Sequence, residues 1–381
     1  MVNWNLDIIN STPEFRKADG FDNPDVDAIY IKNEMYQGKQ TEVFAWFGLP
    51  KLAAGQKCPA MILLHGGGGG AFIEWVKIWN ARGYAAIAID QCGDAPEYPC
   101  DIADGPHSRQ PNGGPAGWDA SFNTTNEPIT EQWVYHAISA ALRCHGLLAN
   151  HPSIDSSRIG VTGISWGGYM TSLFAGVDTK LACAVPVYGC GFLGVNSVWN
   201  SHTFPSLPAD DVKRWLELWD PSVYLPNAKC PICWVSGSND FAYPMDSLTA
   251  SANLPKSPKT LSIRVELPHS HPEGWAPKEI YKFIDSHLAS GKPMPQVLNS
   301  GYNDKEIWLT YNTAIPVKYA ELNYTRATGY LPDRKYNKLP AAIDTENGTV
   351  KIDLPPLTTA AYLNLFDEDD CVVSGDVMVL K

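Results

Sequence analysis

The chain has 381 residues, with 29 basic and 41 acidic side chains and a net charge of −12. Hydrophobic residues at 44% and charged residues at 18% exclude an intrinsically disordered chain, and the acidic balance argues against a nucleic-acid footprint or a polybasic membrane patch. At about 150 residues per domain the length predicts two or three domains with a large core, and apolar runs such as 59–64 and 85–89 are far too short to span a bilayer.

The first residues, Met1 to Asp7, show neither a basic n-region nor an apolar h-region. The compartment therefore reads as cytoplasmic by default, or as secreted or periplasmic if a leader has been removed. Strands are expected over 26–31 and 41–47, where β-branched and aromatic residues alternate with polar ones. The continuous apolar run 60–64, ending in His65 and five glycines, has the character of a buried parallel strand. A helix over 72–82 closed by Gly83 and a strand over 84–90 follow. A helix from 131 to 149 capped by Thr130 comes next, then a strand over 158–163 that turns into a helix over 167–177. Three more strands, 182–188, 232–236 and 261–267, are separated and followed by helices over 210–219, 245–253 and 277–288. Such alternation predicts a mostly parallel, doubly wound α/β sheet with both faces covered.

Beyond the Pro/Gly-rich linker near 291–296 the texture changes to about six short alternating segments, among them 306–311, 318–324 and 361–366. The expected division is a catalytic domain over 1–292, with strands from about residue 25 and an insertion over 91–130, then a small Ig-like β-sandwich over 293–381. Nine cysteines are too few for a disulfide scaffold; Cys92 and Cys100 are the pair that would close in an oxidising compartment, with free thiols preferred. There is no CxxC, and the histidines lack zinc-ligand spacing, so no structural metal is expected.

The most specific chemistry lies in Gly163-Ile164-Ser165-Trp166-Gly167-Gly168, between an expected strand and an expected helix. Flanking glycines allow the sharp turn of a nucleophile elbow, which presents the hydroxyl of Ser165. A serine hydroxyl at its free pKa is a poor nucleophile, so a base and an orienting carboxylate must follow it. Asp240, in Ser236-Gly237-Ser238-Asn239-Asp240-Phe241, is the expected acid, preferred to Asp246 and Asp220, which read as solvated helix-end charges. For the base, the segment Pro268-His269-Ser270-His271 offers two histidines. The small residue before His271 favours it over His269, leaving His269 to line the pocket or order the loop. An oxyanion hole needs backbone N–H groups, expected from Trp166 and from Gly67, with Gly68 second. A phosphate cradle is the poorer reading of the five glycines, because no Gly-Lys-Ser/Thr follows them.

These motifs, together with the HGGGGG, GSNDFAYP and PHSHPEGW segments, resemble the α/β-hydrolase superfamily over about residues 25–290, in particular its acetyl xylan esterase and dienelactone-hydrolase-like branch. The resemblance implies ester hydrolysis by a Ser-His-Asp triad with no cofactor, and Ser165 in place of the dienelactone hydrolases' cysteine favours the esterase side. The glycine-rich loop departs from the His-Gly-Tyr loop common in acetyl xylan esterases, and the C-terminal sandwich is extra.

Ligands of open α/β sheets bind at the carboxyl ends of the strands. The loop from 91 to 130, too long for a plain connector, reads as a substrate lid, and 190–208 as a second wall that includes Trp199 and His202. Arg109, Trp118, Trp199, His269 and Trp275 are candidate substrate contacts, the tryptophans as platforms for sugar faces. The reading is a serine esterase removing acetyl or other small acyl groups from a carbohydrate such as xylan or xylo-oligosaccharides. Its partner is an ester substrate, with no nucleic acid and no membrane, and a homo-oligomer is left open. The alternatives are a serine peptidase of the acyl-peptide or prolyl type, and a glycan-binding protein with a vestigial triad.

Overall fold

The computed structural model describes residues 2–97 and 106–380. Cys100, and with it the choice between a 92–100 bridge and free thiols, lies outside them. The central strands are β1 (Asp27–Tyr36), β2 (Lys39–Gly48), β3 (Cys58–Leu64), β4 (Ala85–Ile89), β5 (Ile154–Ile164), β6 (Cys183–Val187), β7 (Ile232–Gly237) and β8 (Lys259–Arg264). They lie in the order β1-β2-β4-β3-β5-β6-β7-β8, antiparallel at β1–β2 and β2–β4 and parallel thereafter. This is the mixed sheet of an α/β-hydrolase. Strands β3, β4, β6 and β7 are buried along their whole length, which is why they read as unbroken apolar runs.

The α-helices of five residues or more are α1 (Ile73–Ala81), α2 (Trp133–Ala149), α3 (Trp166–Val177), α4 (Ala209–Trp219), α5 (Met245–Ala252), α6 (His271–Trp275) and α7 (Lys278–Leu288). Helix α6 was not expected. Ser270 caps it, its hydroxyl accepting the Glu273 N–H at 3.3 Å and donating to the Glu273 carboxylate, so Ser270-His271-Pro272-Glu273 has the capping-box sequence with its serine half formed. The helix therefore starts at His271 and leaves His269 in the loop before it. No helix among the described residues is long and apolar enough to cross a membrane.

The C-terminal strands are β9 (Gln296–Tyr302), β10 (Glu306–Asn312), β11 (Val317–Thr325), β12 (Asn337–Asp344), β13 (Thr349–Asp353), β14 (Ala360–Asp367), β15 (Val372–Ser374) and β16 (Met378–Val379). Strand β12 pairs with β11 through Ala341 and with β13 from Ala342, so the antiparallel ladder folds over into two layers. Ile307, Leu309, Leu322, Val350, Leu363 and Leu365 are buried here. The short β15 lies antiparallel to β8, with Leu261 opposite Ser374, so this region continues the central sheet.

Polar bonds lock that seam. Ser374 Oγ accepts the Ile263 N–H at 2.9 Å and donates to Asn364 Oδ1 at 2.7 Å, while Asn364 Nδ2 donates to the Ile263 carbonyl at 3.1 Å. The fully buried Glu279 of α7 accepts the Val372 N–H at 2.7 Å and pairs with Arg264. Replacing it by leucine leaves the buried Val372 N–H without its acceptor and removes the Arg264 carboxylate partner, leaving that guanidinium its bond to the Asp370 carbonyl. We expect Glu279→Leu to cost about 2–4 kcal/mol in urea unfolding; an unchanged midpoint would show that the seam is held by other contacts.

Candidate active site

The elbow is set by close approach of backbones. Ser165 sits at φ 58°, ψ −118°, a left-handed conformation that a non-glycine residue adopts at a cost of about 1–3 kcal/mol. A Cβ on Gly163 would strike the Gly167 carbonyl, one on Gly167 the Leu64 carbonyl, and one on Gly168 the Val187 carbonyl. Trp166 opens α3 with its indole enclosed by Trp118, Phe122, Trp133, Tyr169 and Trp199, at centroid distances between 4.8 and 6.3 Å. The N-terminus of α3, where amides and dipole favour negative charge, is thereby fixed beside Ser165.

The structure brings Ser165 and Asp240 together through His269. His269 Nε2 lies 2.8 Å from Ser165 Oγ, and His269 Nδ1 lies 2.8 Å from Asp240 Oδ2. Asp240 is buried, and its other oxygen accepts the N–H groups of Ala242 at 3.0 Å and Tyr243 at 2.8 Å. With Nδ1–H donating to the carboxylate, Nε2 is left to accept the serine hydroxyl. The ring is sandwiched between Tyr188, stacked at 4.6 Å, and Phe241 at 4.9 Å, and the Tyr188 hydroxyl donates to the Pro268 carbonyl at 2.7 Å.

The expectation that His271 would take this place is corrected. As the first residue of α6, His271 is turned inward against Phe72 at 4.7 Å, and its Nε2 accepts the Gly66 N–H at 2.9 Å. The rule of a small residue before the base misled because Ser270 serves as a helix cap.

The glycine loop packs directly on the elbow. A Cβ on Gly66 would stand 2.9 Å from Ser165 Cβ, and one on Gly67 3.1 Å from Trp166 Cδ1. His65 contacts the Gly66 carbonyl through Nδ1 at 3.0 Å and accepts the Gln91 N–H at Nε2, also at 3.0 Å. Burial, reinforced by His271 nearby, pushes its pKa down to about 3, so the ring is neutral.

The acetyl xylan esterase (AXE1) family model matches residues 5–223. The chain belongs to this family. Its catalytic unit is accordingly a carboxylic ester hydrolase. The fold is shared with solved acetyl xylan esterases from Paenibacillus sp. (TM-score 0.57, 18% identity) and Thermoanaerobacterium sp. (TM-score 0.56, 16% identity), each alignment covering 74% of this chain and 92% of the other. The "Uncharacterized peptidase YuxL" of Bacillus subtilis is 26% identical over 215 residues, 54% of this chain, which spans only 29% of that relative's length.

Other residues expected at the site of this family member fall differently. Arg109 is not free to clamp a carboxylate: its guanidinium bonds the Cys92 and Gly114 carbonyls and lies 3.6 Å from Asp94. Trp199 is buried, donating its indole N–H to Asp119 Oδ1 at 2.7 Å, so it presents no open platform, and the half-buried Trp275 packs on Phe72 and Trp75. Trp118 remains half-buried between His65 and Trp166. The insertion is a packed wall over its described residues, with Phe122 buried against Trp215 and Phe204, and the Asn112 carbonyl accepting the Glu42 N–H. His202 is exposed at the end of a helical turn. Asp220 is a buried turn cap accepting the N–H groups of Phe192, Leu193 and Ser222, not a solvated charge, and Asp246 accepts from Asn196. Tyr188 and Phe241, which frame the imidazole, were missed; a ring directly after the acid in Asp240-Phe241 was the available signal.

Asp90, at the end of β4, borders the glycine loop. Its Oδ1 accepts the Cys92 and Asp94 N–H groups, while its buried Oδ2 has no hydrogen-bond partner among the described residues. Burial raises its pKa from 3.8 to about 7. A raised carboxyl contributes stability that is complete below the unfolded value and is lost as pH climbs through the folded one. Asparagine keeps the acceptor and cannot ionise. We expect Asp90→Asn to melt near wild type at about pH 3.5, below the unfolded value, and to become the more stable of the two as pH rises, by roughly 1–4 kcal/mol at about pH 9. A difference that does not change with pH would contradict this.

Proposed function

We propose that the protein is a serine ester hydrolase that removes acetyl or other small acyl groups from a carbohydrate such as xylan or xylo-oligosaccharides. The observation that carries the chemistry is the hydrogen-bond chain from Ser165 through His269 to Asp240, both links 2.8 Å long. The family supports the acetyl and carbohydrate part of the reading.

His269 Nε2 takes the hydroxyl proton as Ser165 Oγ bonds to the ester carbonyl carbon. The negative charge formed on the carbonyl oxygen is held by the N–H groups of Trp166 and Gly67. Collapse breaks the bond to the sugar oxygen, which leaves with the proton from His269, and the acyl group stays on Ser165. Water then attacks that acyl group, with His269 again as base, releasing the carboxylic acid and restoring the serine. Asp240 remains ionised throughout and stabilises the imidazolium.

Ser165→Ala and His269→Ala should each lower p-nitrophenyl acetate turnover by about 10,000-fold or more with the fold retained. Retained turnover in His269→Ala would remove that histidine from the base role. Acetylated xylo-oligosaccharides should be better substrates than longer-acyl or glucuronoyl esters. The similarity to a protein named as a peptidase makes peptide anilides the competing substrate class, and preference for them would overturn the esterase reading. Failure of a fluorophosphonate to label Ser165 would point instead to a glycan-binding protein with an inert triad.

A further inference from the structure

We propose that His271 is a positioning residue for acyl transfer, holding the glycine loop in place through its hydrogen bond from Gly66. The proposal rests on the serine-esterase reading above.

A buried imidazole is costly unless its nitrogens are used, and His271 is only 7% exposed. Its Nε2 accepts the Gly66 N–H at 2.9 Å, so that nitrogen carries no proton. The opposite end of the same residue is held as well, since His65 Nδ1 lies 3.0 Å from the Gly66 carbonyl oxygen. His65 is itself anchored by the Gln91 N–H, and the Gln91 carbonyl accepts the Trp133 indole N–H at 2.7 Å. Two imidazoles outside the Ser165–His269–Asp240 chain therefore clamp one glycine from both sides.

The loop is shaped to this ring. A Cβ on Gly66 would come 3.0 Å from His271 Nε2, and one on Gly69 2.7 Å from it, so the histidine fits because both residues are glycines. Gly66 also lies against Ser165, its built Cβ 2.9 Å from the serine Cβ, so any shift of this residue moves the loop relative to the nucleophile. Because the Gly66 N–H is engaged by His271, Gly66 is not the oxyanion donor on this loop, and the proposed mechanism assigns that role to the next amide, that of Gly67. Misplacing such a donor by about 1 Å costs on the order of 100-fold in rate.

Glutamine and methionine are similar in length and volume, and the main difference between them is a terminal hydrogen-bonding group. At equal concentrations of folded protein, His271→Met should lower kcat for p-nitrophenyl acetate by about 10- to 100-fold with KM within about threefold, while His271→Gln should stay within about threefold of wild-type kcat. Equal kcat values in the two variants, both near wild type or both low, would overturn the proposal. Loss in His271→Met as complete as in Ser165→Ala, with His269→Ala still active, would make His271 the base and overturn it too. Loss of the base assignment alone shows separately, as turnover surviving in His269→Ala whatever the glutamine and methionine pair does.

Discussion

The imidazole of His269 is the joint on which the site turns. It stands between a hydroxyl and a carboxylate that are 75 residues apart in the chain, with a 2.8 Å bond to each. Neither bond survives a displacement of either end, so the surrounding structure is arranged to prevent one. At the serine end, three glycines bring β5, α3 and neighbouring backbones within contact distance, and five aromatic rings enclose Trp166. At the acid end, Asp240 organises its own turn by accepting two backbone N–H groups. Strain at Ser165 persists because so many contacts over-determine it.

The C-terminal strands join this arrangement rather than hanging beside it. Their sheet continues from β8 through β15, and the Tyr330 hydroxyl donates to the Phe241 carbonyl at 2.9 Å, one residue from the acid. Lys335 pairs with Glu266 on the segment leading to the histidine. The turn bearing Asp240 is thus tied to the C-terminal region by a hydrogen bond, and the segment before His269 by an exposed ion pair that adds little. The C-terminal region touches the segments that carry the Ser165–His269–Asp240 hydrogen-bond chain.

Much of the fold was legible because its signals are local. Continuous apolar runs marked β3, β4, β6 and β7, and the change of texture after residue 290 marked the β-rich region. The seam between the two regions was not legible: β15 has three residues, too few to show a period. At the site, the strand–glycine–serine–glycine–helix pattern pointed to Ser165, which stands at a strained strand–helix turn, and the glycine turn after β7 pointed to Asp240, which is hydrogen-bonded to His269. The choice between His269 and His271 went the wrong way, although Ser270-His271-Pro272-Glu273 carried the capping-box sequence that puts His271 inside a helix. Arg109 and Trp199 misled for a different reason. Each is satisfied by partners distant in the chain or across a loop, and no local pattern announces that a polar tip is already occupied.

Proton NMR on histidine-labelled protein tests the central geometry most directly. An Nδ1 proton shared with a buried carboxylate resonates far downfield. One such signal should disappear in His269→Gln and Asp240→Asn and persist in His271→Gln, while a second, from the buried His145–Asp178 pair, should persist in all three variants. A signal lost on substitution of His271 and kept in His269→Gln would contradict this geometry.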